Sequence, residues 1–502
     1  MSLNITSGML PKRYQRTPAF APPFLYFGAN KLPRQTSPLP LHAVSSNRRL
    51  RPGVVRATLK NSETEAEPSS GSASESPPEA PKFTLRNIPE RLRVVLLCFL
   101  SFVICNCDRI NISVAILPMA KFYGWNQTTV GIIQSAFFWG YVLTQIPGGY
   151  FADKYGGKHV LAVGVIVWSA MTLLTPLAAS GNLGLLLLAR ALLGVGEGVA
   201  MPAMNNIISK WVPEKERARS LSLTYSGMYL GSVVGLWLCP QFIVSFGWQS
   251  VFYIFGSLGF FWWIGWQLWT TSTPQLSSTI SEQELRYIES GAPGAEKDVS
   301  SVPWKLLLSR KATWAIIVAH FCATWGYFVL LIWLPTYFNR QLGFNLAASS
   351  FLSILPWLAM FISANIGGLI ADALRSRGMS LTAVRKTMQS IAFLGPAFFL
   401  SLVATTDTPS LAVFYMTSAL AFSSFSQSGV YSNHQDIGPA YSGILLGISN
   451  TGAAIPGIVG VALTGFILDT TGSWKLVFAI AIFFYLLGTV VYNILGTGER
   501  VF

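Results

Sequence analysis

The chain has 502 residues, 51% of them hydrophobic and only 11% charged, far below the roughly 25% charged residues of an ordinary soluble protein. Apolar stretches of about 20 residues recur from Val94 to Leu495, each long enough to cross a hydrocarbon core of about 30 Å, which excludes a conventional soluble enzyme. The formal net charge of +14 is not a nucleic-acid footprint: ten Lys and Arg residues, Lys12 to Lys60, precede Glu63, the first acidic residue, and no basic patch interleaved with exposed aromatics stands elsewhere.

Residues 1–57 are basic, rich in Ser, Thr and Pro, free of Asp and Glu, and lack an apolar core of signal-peptide length. That is the composition of an organelle transit peptide. The Ser and Pro content, and a Val54-Val55-Arg56-Ala57 run that looks like a stromal processing site, favour a plastid over a mitochondrion; an ordinary disordered terminus is the alternative. Residues 58–88, with Glu63, Glu65, Glu67, Glu75 and Glu79 among Ser and Pro, are expected to form a disordered tail.

Beyond Phe83 the apolar spans fall at 93–118, 128–151, 159–179, 183–210, 219–244, 249–270, 313–338, 346–372, 384–404, 408–432, 439–467 and 474–495. The expectation is an all-α membrane protein of about twelve transmembrane helices. A central loop, 271–312, with a surface helix around Glu282 to Glu289, divides it into a six-helix bundle at 89–270 and another at 313–496, leaving a tail at 497–502.

Charge placement agrees with this division. Lys82, Arg86, Arg91 and Arg93 precede the first span, Lys154 and Lys158 follow the second, Lys210, Lys215, Arg217 and Arg219 follow the fourth, and Arg375, Arg377, Arg385 and Lys386 follow the eighth. The opposite connections hold little beyond Lys121, Arg340 and Lys475. The positive-inside rule then places both ends of the chain on one side, the stroma of a plastid, with the inner envelope preferred to the thylakoid. The halves also echo each other: Gly148-Gly149-Tyr-Phe-Ala152-Asp153 recurs as Gly367-Gly368-Leu-Ile-Ala371-Asp372, and Trp248-Gln-Ser-Val251-Phe252 as Trp474-Lys-Leu-Val477-Phe478. Such repeated bundles place a substrate site between them near the middle of the membrane.

An ionised side chain at the bilayer centre costs at least about 2.5–3.5 kcal/mol, so Arg109, Arg190 and Glu197 should face a cavity or a partner. Arg109 and Arg190 lie roughly 13 and 10 Å from the same membrane face in antiparallel spans, a depth at which two guanidiniums can converge on one anion. Ser113, four residues after Arg109, shares its helix face. Two readings stand beside the binding one: a packing ion pair of Arg190 with Glu197, and one of Arg109 with Asp108. A transported cation needs oxygen ligands or a titratable site, and Glu197 is the deepest carboxylate.

Asp153 and Asp372 end their spans on the basic side and suit gates between the bundles that exchange partners, with solvated loop carboxylates as the alternative. His434 and Asp436 lie near the junction of spans ten and eleven, where a satisfied helix-end histidine and an N-cap aspartate compete with a proton relay. Ser423, Ser424, Ser426, Gln427 and Ser428 make span ten polar enough to line a watery passage or to join helices. The run Gly194-Val-Gly196-Glu197-Gly198 is spaced like a dinucleotide fingerprint but follows no strand, which leaves close helix packing. Cys98, Cys105, Cys107, Cys239 and Cys322 all fall in apolar spans, an arrangement that suits small hydrophobes better than disulfides or a metal site.

Gly149-Tyr-Phe-Ala-Asp153-Lys-Tyr-Gly156-Gly157-Lys158 resembles the loop signature of the major facilitator superfamily, departing at Gly157, where a basic residue is frequent. Phe137-Phe138-Trp139-Gly140-Tyr141, Thr144-Gln145-Ile146-Pro147-Gly148-Gly149, Arg190 with Glu197-Gly198, Ser209-Lys210-Trp211 and Asn433-His434-Gln435-Asp436-Ile437 together resemble its anion:cation symporter family. The run Cys105 to Pro118 is most similar to the plastid phosphate/anion transporters of plants. Gln134 departs from the glutamate-transporting relatives, which carry a histidine there.

The resemblance implies secondary active transport of inorganic phosphate by alternating access, driven by sodium ions or protons and needing no other cofactor. An organic anion such as ascorbate or another carboxylate is the nearest alternative. The residues alone say only "anion". An intramembrane enzyme lacks any motif to support it, and two repeated six-helix halves fit a carrier better than a channel.

Overall fold

The computed structural model describes residues 88–290 and 303–502; the expected transit peptide, all but the last residue of the expected tail and part of the central loop lie outside them. Every regular element among the described residues is helical. The first half comprises α1 (Glu90–Tyr123), α2 (Gln127–Tyr155), α3 (Gly157–Gly181), α4 (Leu183–Gly198) continued by α5 (Ala200–Trp211), α6 (Glu214–Phe246) and α7 (Gln249–Trp269). Two short helices, α8 (Glu282–Ser290) and α9 (Trp304–Ser309), occupy the central connection. The second half comprises α10 (Lys311–Arg340), α11 (Leu346–Leu352) with α12 (Ile354–Ser376), α13 (Leu381–Val403), α14 (Pro409–Ser423) with α15 (Val430–Ile437), α16 (Ser442–Thr471) and α17 (Trp474–Leu495).

The turns on the face opposite the basic connections are tight because the next helix is capped at once. Asn126, Asn182 and Asn345 each accept, at 2.8–2.9 Å, the backbone N–H three residues on, satisfying a donor that the first helical turn leaves open. On the basic face the Glu284 carboxylate, from the expected surface helix, accepts from the N–H groups of Glu90 and Arg91 at 3.1 Å and so caps α1.

Among the described residues, ten spans are long and apolar enough to cross a membrane by themselves. Polar residues such as Gln127, Gln134 and Gln145 dilute α2, and the tenth span is broken. Instead of one helix over 408–432, α14 stops at Ser423, a 3-10 turn covers Ser424–Gln427, and α15 runs on to Ile437. Ser423 and Ser424 donate to carbonyls three residues back, both at 2.7 Å, a local bonding that competes with a regular helix. Broken backbone at membrane depth must be satisfied within the protein. Gln389 of α13 does this, accepting from Val430 N–H at 2.9 Å and donating to Ser426 Oγ at 3.1 Å.

The bundles meet mainly where α2 packs on α16, with further contacts of α6 on α11 and α12. The α2–α16 contact is close because it is built on glycines. A side chain at Gly131 would lie 3.0 Å from the Val461 carbonyl oxygen, and one at Gly465 would strike the Gln127 carbonyl. A set of side-chain hydrogen bonds joining the bundles ends on Asp469 of α16, which accepts from Gln127 N–H (3.1 Å), Thr128 N–H (3.3 Å) and Thr128 Oγ (2.7 Å). Asp469 thus places a carboxylate on the N-terminus of the facing helix, where charge and dipole attract, with Arg340 of α10 beside it.

Toward the basic face the bundles part. A Cβ added at Gly443 or Gly447 of α16 would meet no other atom within 4 Å beyond its own helix. Asp153 accepts from Asn206 of its own bundle at 2.9 Å, and Asp372 is exposed with no hydrogen-bond partner among the described residues. Among the described residues neither carboxylate reaches across.

Asp469→Ala removes the acceptor of all three bonds. Amide hydrogen exchange over residues 127–131 should rise by about tenfold, the effect of losing roughly 1.4 kcal/mol of capping and charge-assisted bonding. Exchange no faster than in the parent would mean that glycine packing alone holds this face closed.

Candidate functional site

The glycine run of α4 sets the geometry of the site. A side chain at Gly194 would strike the Phe137 carbonyl of α2, one at Gly198 the Thr144 hydroxyl of α2, and one at Gly196 would come within 2.8 Å of Trp168 N on α3. These residues are spacers that let α4 wedge between two helices, as the packing reading expects. The departure at Gly157 has the same cause: a Cβ there would stand 2.5 Å from the Ala203 carbonyl oxygen of α5. No basic side chain fits.

Held in this way, α4 buries Arg190 and Glu197, each 1% exposed, facing α1. Arg109 of α1 donates to a single oxygen of Glu197, from Nη2 at 2.7 Å and from Nε at 3.2 Å. Its guanidinium also lies over the Phe137 ring, 4.9 Å from the centroid, and the Tyr141 ring, at 5.4 Å. Arg190 stands 5.9 Å from the same Phe137 ring. The two guanidiniums therefore converge on one aromatic, as their depths require.

Neither packing pair considered from sequence forms. Asp108 and Arg109 are successive residues on a helix, about 100° apart around its axis, so they cannot face each other. Asp108 turns instead toward Thr172, Glu197 and Arg190. Arg190 and Glu197 are seven residues apart, about 10 Å along the axis, and Arg109 has taken the Glu197 oxygen. The result is a cluster of two cations and two anions that is only half bonded. Asp108 Oδ1 and Oδ2, Glu197 Oε1, and Arg190 Nε and Nη1 are buried without a hydrogen-bond partner. Groups left in this state cost stability.

Ser113 does not join the cluster through its hydrogen, because its hydroxyl donates to the Ile110 carbonyl at 2.7 Å. Gln134 is buried with both amide atoms unbonded. Cys105 is buried within α1, and Cys107 donates to the Gly231 carbonyl at 3.3 Å.

Between the bundles the cluster is met by tyrosines that sequence reasoning passed over. Tyr431 of α15 lies within electrostatic reach of Tyr141 of α2, Tyr229 of α6 and Tyr327 of α10, and Tyr327 within reach of Tyr141, Tyr229 and Arg109. Gln427, at the break in span ten, faces Tyr229. All four tyrosines are only partly buried, three of them within long helices and Tyr431 in the first turn of α15, which suits walls of a cleft better than core. In sequence they look like ordinary apolar-face aromatics; only their convergence distinguishes them.

On the far wall His434 closes the last turn of α15 with both ring nitrogens bonded, Nδ1 to the Tyr431 carbonyl at 3.2 Å and Nε2 to Ser449 Oγ at 2.7 Å. Ser449 is shared with His320 Nδ1 at 3.1 Å, a partner that no sequence motif indicated. Asp436 is not an N-cap. It lies inside α15 and binds Arg385 of α13 at 2.6 Å, because α15 runs five residues beyond the expected end of the span.

The family model described as Major Facilitator Superfamily matches residues 97–461. The "Sodium-dependent phosphate transport protein 1, chloroplastic" of Arabidopsis thaliana is 56% identical over 413 residues, 82% of this chain and 80% of its own length. The "Ascorbate transporter, chloroplastic" of the same plant is 56% identical over 416 residues, covering 83% and 76%. "Probable anion transporter 4, chloroplastic" of Oryza sativa subsp. japonica is 57% identical over 416 residues, covering 83% and 70%. Among solved structures, a D-xylose-proton symporter superposes with a TM-score of 0.64 at 13% identity, over 82% of this chain and 99% of its own. A bacterial homologue of the human lysosomal transporter Spinster does so at 0.65 and 17%, over 81% and 97%.

Proposed function

We propose that this chain, which belongs to the Major Facilitator Superfamily, carries inorganic phosphate across a plastid membrane by alternating access, coupled to sodium ions or protons. The observation that carries the anion reading is the convergence of Arg109 and Arg190 on Phe137 while Arg190 Nε and Nη1 lack partners. A planar guanidinium offers phosphate or carboxylate a bidentate fork and stays charged at any relevant pH. Phosphate in particular is supported by the relative named for sodium-dependent phosphate transport. The relative named for ascorbate supports an organic anion as the alternative.

Charge balance supplies the coupling. The site holds two guanidiniums against Asp108 and Glu197, and Arg109 already engages Glu197. An anion that draws Arg109 away leaves a carboxylate bare in a low-dielectric interior, which is costly unless a cation replaces the arginine. A proton or sodium ion at Glu197, with Asp108 as the second acidic group, meets that need. Asp153 and Asp372 are assigned to closing the basic face, and His434 and Asp436 to the far wall that moves with α15. Residues 1–57 are read as a plastid transit peptide, and the inner envelope as the membrane; the chloroplastic names of the relatives support the organelle.

Arg109→Lys and Arg190→Lys keep charge and lose the fork. In folded, monodisperse protein each should weaken phosphate binding about tenfold, and the alanine variants by up to about a hundredfold. Normal affinity in both lysine variants would overturn the two-arginine site. Glu197→Gln should abolish the stimulation of uptake by a sodium or proton gradient while phosphate exchange persists; unaltered cation dependence would remove Glu197 from coupling. Residues 1–62 fused to a fluorescent protein should direct it to plastids, and accumulation in mitochondria or the secretory pathway would refute the transit reading.

A further inference from the structure

Away from the cleft, the outer surface of the C-terminal bundle carries a groove of about 690 Å³ along α13, lined by Lys386, Ser390, Ile391, Leu394, Gly395 and Phe422 among others. Its polar end lies near the basic face, where α13 begins at Leu381. Lys386 Nζ donates to the Asn493 backbone carbonyl at 2.8 Å, and among the described residues no carboxylate pairs with it. The ammonium therefore has no carboxylate partner among these residues and two further N–H donors. Ser390 Oγ accepts from Asn493 Nδ2 at 2.9 Å, so its own hydrogen can be donated. Arg375 and Arg377 add positive charge at the same face.

The other end is hydrocarbon. Leu394 lies eight residues beyond Lys386, about 12 Å deeper along the helix. Leu394 and Phe422 are 47% and 36% exposed, open sideways to the surrounding bilayer. Gly395 shapes the wall: a Cβ there would stand 2.6 Å from Phe422 Cβ, so only glycine lets the ring lie against the α13 backbone. A cationic mouth at headgroup level above a sideways-open apolar trough about 12 Å long matches one class of occupant.

We propose that this groove is a binding site for an anionic membrane lipid of the basic-face leaflet, with its phosphate or sulfonate headgroup held by Lys386 and Ser390 and its acyl chain lying on Ile391, Leu394 and Phe422. Charge complementarity selects the lipid, since a neutral lipid would leave the lysine uncompensated and a soluble anion would leave the trough uncovered. The site bears on transport through α13, because Gln389, one turn from Lys386, anchors the start of α15. It is independent of the anion assigned to the central cleft.

The test uses the full chain purified in detergent, with phosphatidylglycerol or phosphatidylcholine added, and reads bound lipid by native mass spectrometry and by the shift in melting temperature. The parent should retain phosphatidylglycerol in preference, and Lys386→Gln should lower that retention about fivefold, the effect of one basic contact at a membrane surface. Lys386→Arg should preserve it, and Leu394→Trp, which fills the trough without touching the charge, should reduce it. Inorganic phosphate should not compete. Equal retention of the two lipids, or parent-like retention by Lys386→Gln, would overturn the proposal. Displacement by inorganic phosphate would make the groove a small-anion site instead and refute the lipid.

Discussion

The bond between Arg109 and Glu197 is the constraint around which the N-terminal bundle is organised. A guanidinium and a carboxylate at 2.7 Å, in the middle of helices whose solvent is hydrocarbon, are tolerated only if each is held by the other and by its surroundings. The surroundings here are Phe137 and Tyr141 under the arginine and a tightly wedged α4 behind the glutamate. The glycines at 194, 196 and 198 are required because a Cβ at any of them would push α4 off α2 or α3 and draw Glu197 away from its partner. Local sequence, helix packing and the charged site are in this sense one problem.

That bond is also incomplete, and its incompleteness has chemical use. Glu197 lends one oxygen and keeps the other unbonded, Asp108 is unbonded at both, and Arg190 holds two idle donors. A fully satisfied network would be a structural knot. A half-satisfied one of balanced charge takes up an anion and a cation together more readily than either alone, since each ligand leaves behind a group that only the other can compensate. The coupling in the proposed transport rests on this electrostatics.

The two bundles are joined by different means on their two faces. Opposite the basic connections, glycine contacts of α2 with α16 and the carboxylate of Asp469 on the α2 N-terminus draw them together. Toward the basic face Asp153 and Asp372 engage nothing in the other bundle among the described residues. Bonds to an exposed carboxylate and a small-residue seam can be broken without unfolding either half. The break in the tenth span, held by Gln389, gives the second bundle a local joint beside the cleft.

Span number, their division into two sixes and the helical class were legible in sequence, because a hydrocarbon slab imposes a length of about 20 apolar residues on each span whatever its neighbours. The cost of burying charge singled out Arg109, Arg190 and Glu197, and the small-residue pattern of the α4 glycines was likewise readable. What sequence could not decide was who faces whom. Arg109 pairs with Glu197 rather than Asp108, and Asp436 with Arg385 rather than its own helix end, because partners are chosen by helix rotation and packing, to which sequence spacing is blind. The tyrosines of the cleft, the His320–Ser449–His434 contact and the bridging role of Asp469 were hidden for the same reason: each is unremarkable within its own helix and acquires a role only through helices far away in the chain.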